Sequence, residues 1–295
     1  MSKKQRDTEE WLFEITPKKS LLSLNLKEVW SYRDLLMLFV KRDIVTVYKQ
    51  TVLGPFWYLI QPLFTSVIFT LIFNNVANIS TGLIPPFLFN LAGITVWNYF
   101  KTCLTATSDT FTSNAGIFSK VYFPRIIMPM SVVISNLMKF GIQLFIFISF
   151  YIYYISIGKE ISPNKTLLLF PVLVLFMAML GLGLGMIISS MVTKYRDLKF
   201  LMTFGVQLLM YLSVVMYPLS LIKEKVAEGK IPEFIGKMIE YNPMTQVVES
   251  ARYMLLSQGS FSLKGFLYTG LISLFILLIG MIVFNRAEKS FIDTV

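Results

Sequence analysis

Along the chain, apolar residues gather into six long stretches separated by short polar segments: about 52–73, 86–107, 128–155, 167–191, 198–219 and 266–284. A helix needs roughly 20 apolar residues to cross the hydrocarbon core of a bilayer, so each stretch predicts one transmembrane helix. The third is long enough to tilt or to overhang the membrane. Before the first, Leu26, Val29, Trp30, Leu36, Met37, Val40, Ile44 and Val47 recur at helical spacing, with Lys27, Asp34, Lys41 and Arg42 on other faces. This predicts an amphipathic helix lying in the membrane interface; a helix packed on a protein partner would show the same periodicity.

Residues 220–265 are too polar to span. They nevertheless hold two apolar-periodic runs, Phe234, Ile235, Met238 and Ile239, then Val247, Val248, Ala251, Met254 and Leu255. Pro218, Pro232 and Pro243 punctuate the segment, and prolines start or break helices, which predicts short helices dipping into the outer leaflet. The expected fold class is all-α integral membrane with six transmembrane helices. A cytoplasmic N-terminal part (1–51) carries the interfacial helix, and a transmembrane domain (52–295) has re-entrant outer helices before its last span.

Composition sharpens the picture. Only 15% of the residues are charged and mean hydropathy is +0.65, against about 25% charged in soluble proteins, which places the chain in the membrane class. With both ends inside, 17 of the 27 Lys and Arg fall in inner segments and 8 in outer loops. Five Glu between 220 and 265 nearly cancel the positive charge of the last outer loop. Both termini are therefore expected in the cytoplasm, and the net charge of +10 faces the anionic inner leaflet rather than a nucleic acid. Residues 1–20 lack an apolar core, so no cleavable signal peptide is expected.

Several chemistries are missing. There is no His, and the single Cys103 lies within an apolar stretch, so imidazole catalysis, a disulfide and a Cys-based metal site are all disfavoured. No phosphate-binding G-x-x-x-x-G-K-[ST] run occurs. Gly181-Leu182-Gly183-Leu184-Gly185 lies mid-span without a preceding strand, and its spacing suits close helix packing. Asp109 is the only acid near a span, so no carboxylate relay offers a proton path, and energy for active transport must come from another subunit.

Four local patterns occur in order. The first is Lys41-Arg42-Asp43 leading into Tyr48-Lys49-Gln50-Thr51-Val52-Leu53-Gly54-Pro55-Phe56-Trp57 and Gln61-Pro62-Leu63. The second is Lys120-Val121-Tyr122-Phe123-Pro124-Arg125 with Pro129, and the third is Tyr195-Arg196-Asp197-Leu198. The fourth is Tyr217-Pro218, then Tyr241-Asn242-Pro243 and Arg252. Over residues 30–285 the set resembles the ABC-2-type permeases that export bacterial polysaccharides, the O-antigen and teichoic-acid exporters. Many members carry a basic residue before the Tyr-Lys-Gln triplet, where this chain has Val47.

The resemblance implies a homodimer in the bacterial inner membrane, bound to two copies of a separate ATPase that holds ATP and Mg. The chain itself then needs no cofactor or metal and is not an enzyme. It implies a coupling element at Lys120, Tyr122, Phe123, Pro124 and Arg125 that docks on the ATPase. It also implies a conduit lined by spans one and five, with Trp57, Tyr58, Phe64, Phe69, Phe73, Phe204, Tyr211 and Tyr217. Aromatic faces attract pyranose C–H groups without gripping one hydroxyl pattern; the same rings also suit a lipid-facing belt or the bundle core. Lys41, Arg42 and Lys49 would meet the pyrophosphate of a lipid-linked glycan, or hold the helix on anionic lipid. Lys101 and Lys139 fall within spans. Counted from inner ends near residues 112 and 127, each is expected about 16–18 Å deep, facing polar backbone or the conduit. The competing cargoes on the same fold are a drug, a lipid or a peptide. A membrane-embedded glycosyltransferase would want acidic or His residues at the membrane face, which are few here.

Overall fold

The computed structural model describes residues 26–49, 54–118, 120–121, 123–195 and 197–292, and among these the chain is helical throughout with no strand. The short α1 (Leu26–Ser31) and the longer α2 (Arg33–Lys49) precede α3 (Trp57–Phe69), whose axis continues through wider π turns over Thr70–Val76. Next come α4 (Pro86–Ser108), α5 (Thr110–Phe118) and the 30-residue α6 (Ile127–Ser156). A 3-10 turn at Lys165–Leu169 leads into α7 (Phe170–Lys194), followed by α8 (Leu198–Leu212). Three short helices, α9 (Leu219–Ala227), α10 (Glu233–Glu240) and α11 (Pro243–Leu256), precede α12 (Leu263–Ile292).

Among the described residues, four helical stretches are long and apolar enough to cross a membrane: Trp57–Val76, Ile127–Ser156, Lys165–Lys194 and Leu263–Glu288. The two remaining expected spans depart from that standard for different reasons. At 23 residues α4 is long enough, but it is wrapped by protein, so its sequence was free to keep polar positions. By contrast α8 is only 15 residues, about 22 Å. The apolar run continues to Leu219, yet the helix stops at Leu212. Val214 takes a left-handed backbone (φ 47°) in the turn that follows, and Pro218 then caps the start of α9. Pro232 and Pro243 likewise stand at the starts of α10 and α11, as their missing N–H groups favour.

At the centre of the bundle, α7 packs most extensively on α12 and on α4. The glycine pattern explains how. A Cβ at Gly181 would stand 2.7 Å from the Cys103 Cβ, and one at Gly185 would stand 2.5 Å from Thr107, both on α4. On the opposite side of α7, Gly183 lies against the α12 backbone at Ile276 and Gly280. Removing side chains lets three backbones approach closely, which is how helices gain dispersion energy in lipid.

Against the inner end of α6, α2 lays its apolar face, with Phe39 and Val40 buried, while Met37 and Leu38 remain exposed. Its amphipathicity is therefore shared between protein and surroundings. A ladder of rings links this end of the molecule: Phe39–Phe123, Phe123–Phe118, Phe118–Phe111 and Phe111–Phe284, with centroids 4.5 to 6.0 Å apart.

Candidate functional site

Between Leu88 and Ser108, only Asn98, Lys101, Thr102, Thr105 and Ala106 of α4 are open; every other position is buried. With Asp109 these residues recur at intervals of three and four, so they form one stripe down the inner half of the helix. The outer half of α4 is sealed. Four of the five open positions, and Asp109, are polar. At the inner mouth the Lys199 ammonium of α8 meets the Asp109 carboxylate at 2.9 Å. At the upper limit of the stripe the Asn98 amide donates to Gln143 of α6 at 3.4 Å. The threonines turn their hydroxyls onto their own helix, Thr102 to the Asn98 carbonyl and Thr105 to the Lys101 carbonyl. The result is a polar stripe along the C-terminal half of α4, ended by the Asp109–Lys199 pair.

The Lys139 ammonium lies 5.2 Å from the Tyr58 ring centroid, against the first turn of α3. From that contact α3 with its π turns and α6 run on for similar lengths, 18 and 17 residues, so the first dozen residues of α6, about 18 Å, extend past the start of α3.

The expected conduit aromatics divide into two groups. Phe64 (66% exposed), Phe204 (59% exposed), Trp57 and Tyr211 face outward from α3 and α8. Phe69 and Phe73 stack edge to face at 5.7 Å and pack on the bundle core. Tyr217 folds back to donate its hydroxyl to the Tyr211 carbonyl at 2.5 Å.

Among the expected phosphate contacts, Arg42 is committed to Asp43 at 2.7 Å and stacks over Phe39, and Lys41 is exposed. The Lys49 side chain, like Tyr122 in the coupling element, lies outside the described residues. In that element Lys120 and Val121 protrude, Pro124 is half-buried and Phe123 is buried in the ring ladder. Arg125, 8% exposed, turns inward: it donates to the Glu288 carbonyl of α12 at 3.1 Å and lies over the Phe118 ring. Burial pulls its pKa below the ordinary guanidinium value, with the Glu288 carboxylate pulling the other way.

A pair with no assigned role in the sequence reading governs the outer end. Arg252 is fully buried on α11, 3.4 Å from Glu249 and centred 3.7 Å above the Phe89 ring of α4. It donates to the carbonyls of Val214 (2.8 Å), Val215 (2.6 Å) and Tyr217 (3.3 Å). Asn242, which caps α11, and Thr245 within it donate to the Leu212 carbonyl. Glu249 in turn accepts from the Ser260 N–H at 3.0 Å. The last carbonyl of α8, at Leu212, and those of the turn that follows it are thus satisfied by side chains of α11 and its cap. Only Gly93 fits beneath, since a Cβ there would lie 2.7 Å from the guanidinium. The available sequence signal was an Arg and a Glu three apart inside an otherwise apolar run, which predicts a buried pair.

Comparison with known proteins follows this geometry. The profile of the ABC-2 type transporter family matches residues 34–256. An O-antigen export system permease protein RfbA of Klebsiella pneumoniae is 27% identical over 277 residues, covering 92% of this chain and 99% of that protein. A protein of the same description from Myxococcus xanthus is 24% identical over 270 residues, covering 92% and 98%.

Proposed function

The chain belongs to the ABC-2 type transporter family, and from that premise we propose that it is the permease subunit of an ATP-driven exporter of lipid-linked polysaccharide. The observation that carries this reading is the near end-to-end similarity to O-antigen export permeases. In this reading α4 and α8 join the four apolar spans to make six, and α9–α11 form the re-entrant outer element. Both termini face the cytoplasm of a bacterial inner membrane, as the basic residues favour. Two copies of the chain face one another across α3 and α8, whose exposed rings give a sugar chain apolar faces to slide over. The polar stripe of α4 supplies a hydrated floor on the inner side. Two ATPase subunits, holding ATP and Mg, dock on the segment around Lys120, and Phe123 and Arg125 anchor that segment to α5 and α12.

Depleting the protein in its native host tests the reading. Long glycan trapped on the cytoplasmic side, with surface polymer lost, is the expected outcome. Normal surface glycan would overturn the cargo and leave a permease for a drug, lipid or peptide.

A further inference from the structure

A cavity of about 340 Å³ lies where the turn before α4, the start of α9 and the turn between α11 and α12 meet. That volume falls within the roughly 300–1,000 Å³ range of small-molecule sites. Its walls are fixed in shape. Gly82 and Gly259 both take a positive φ (68° and 118°). A Cβ at Gly82 would stand 2.5 Å from the Gln258 amide, and one at Gly259 would stand 2.9 Å from the Glu249 carbonyl. Gln258 crosses between the two turns, donating to the Thr81 carbonyl at 2.6 Å and accepting from the Leu83 N–H at 3.2 Å. The lining combines apolar Phe89, Pro218 and Leu219 with Ser80, Ser220 and Ser260. Ser80 accepts from the Gly82 N–H at 3.2 Å, which leaves its own O–H to donate. Glu249, 2% exposed, lines the same space. A carboxylate offers about four acceptor sites, and those of Glu249 are weakly filled. Only the Ser260 N–H, at 3.0 Å, is of ordinary length; Arg252 (3.4 Å), the Ser260 hydroxyl (3.4 Å) and the Leu219 N–H (3.5 Å) are all long.

We propose that this cavity is a saccharide subsite, which receives a sugar unit of the exported chain through hydroxyl donation to Glu249. This rests on the export reading above, in which the cavity opens on the outer side, and adds a place within a single subunit where that substrate is held. Charge selects the class of ligand. The buried carboxylate is matched by Arg252, and the partly exposed Lys223 in the lining is taken by Glu240 at 2.7 Å, so neither an anion nor a cation meets an unmatched partner. A neutral, hydroxyl-rich ligand fits. Its O–H groups donate to the carboxylate as charge-assisted bonds of ordinary length, about 2.5–2.7 Å. Its oxygens accept from the serine hydroxyls, and its C–H face meets Phe89, Pro218 and Leu219. A free sugar offers the same hydroxyls, so the test must separate the two sources.

The full chain in phosphatidylcholine nanodiscs would be probed by saturation-transfer difference NMR with the methyl α-glycosides of glucose, mannose and galactose, and with methyl glucuronide as the anionic counterpart. A neutral glycoside is expected to bind, and more strongly than the glucuronide. Ser220→Trp, which fills the cavity, should abolish the signal. Ser260→Ala should weaken binding about fivefold, as loss of one hydrogen bond does. Phe145→Trp, on the exposed face of α6, should bind as the wild type. Melting curves of each variant report folding; should Ser220→Trp fail to fold, Ser80→Tyr carries the same test. No signal from any neutral glycoside, or a signal unchanged in folded Ser220→Trp, would overturn the subsite. A glucuronide signal as strong as the neutral ones would overturn the class of ligand. In the depleted host, Ser220→Trp should restore less surface glycan than the unaltered gene. Full restoration, where depletion removes surface glycan, would make the cavity a site for free sugar and overturn the assignment to the exported chain. Binding that depends on Ser220, alongside normal surface glycan after depletion, would sink the export reading and leave a sugar site standing.

Discussion

At one end of the bundle, Arg252 and Glu249 are removed from solvent, paired with each other and hydrogen-bonded to the backbone. Elsewhere in the bundle, Lys101 is exposed on the polar stripe of α4 and Lys139 is half-buried over the Tyr58 ring, and neither makes an ion pair with a carboxylate among the described residues. Both arrangements place charge in a setting where charge is expensive, yet they serve different purposes. The outer charges are spent on architecture: they close the end of α8, pin α11 beneath it and seal the upper half of α4. Lys101 and Lys139 are left without a carboxylate among the described residues, so their charge is not tied into the architecture.

The comparison can be broken most decisively at its outer pole. Arg252→Met removes the donor to three carbonyls and strands Glu249, which should cost about 3–5 kcal/mol. Thermal unfolding of the purified protein should show a large drop in midpoint, while Lys101→Met leaves the midpoint nearly unchanged. Equal shifts for the two would erase the distinction between the ends.

Arg125 tests a third position, buried where the start of α6 meets α5 and α12. Arg125→Met loses a charged hydrogen bond to the Glu288 carbonyl and the stack on Phe118, about 1.5–3 kcal/mol. ATP hydrolysis stimulated by the permease should fall with it, and Arg125→Glu should abolish that stimulation with membrane insertion intact. If Arg125→Glu were fully coupled, the anchoring role of the segment around Lys120 would be lost.

The smallest effect is expected at the mouth, where the polar stripe of α4 ends. Asp109 and Lys199 are both partly exposed, so their pair should contribute only about 0.2–1 kcal/mol to stability. A double-mutant cycle with Asp109→Asn and Lys199→Met measures it. A coupling as strong as that of the buried outer pair would show that the mouth is locked rather than open.

Much of the architecture was legible in the residues. The apolar runs marked the spans because their length answers directly to bilayer thickness. Pro218, Pro232 and Pro243 marked the outer helix starts because proline acts on its own backbone. Gly181 and Gly185 announced a close helix contact because only a missing side chain allows one. What the linear pattern could not supply was level and partnership. Lys139 reads as mid-span when counted from Ile127, and only the fold brings it over the Tyr58 ring, some eighty residues earlier. Arg125 reads as a projecting cation, and its turn inward depends on Glu288, 163 residues away. Arg252 reads as one more charge in an outer loop until the carbonyls of Val214 and Val215, 38 and 37 residues before it, are brought beneath its guanidinium. Helix length, period and punctuation are local properties of a chain and its solvent, so the sequence by itself determined them. Whether a charge is neutralised depends on groups far apart along the chain meeting in space, and that only the tertiary structure decided.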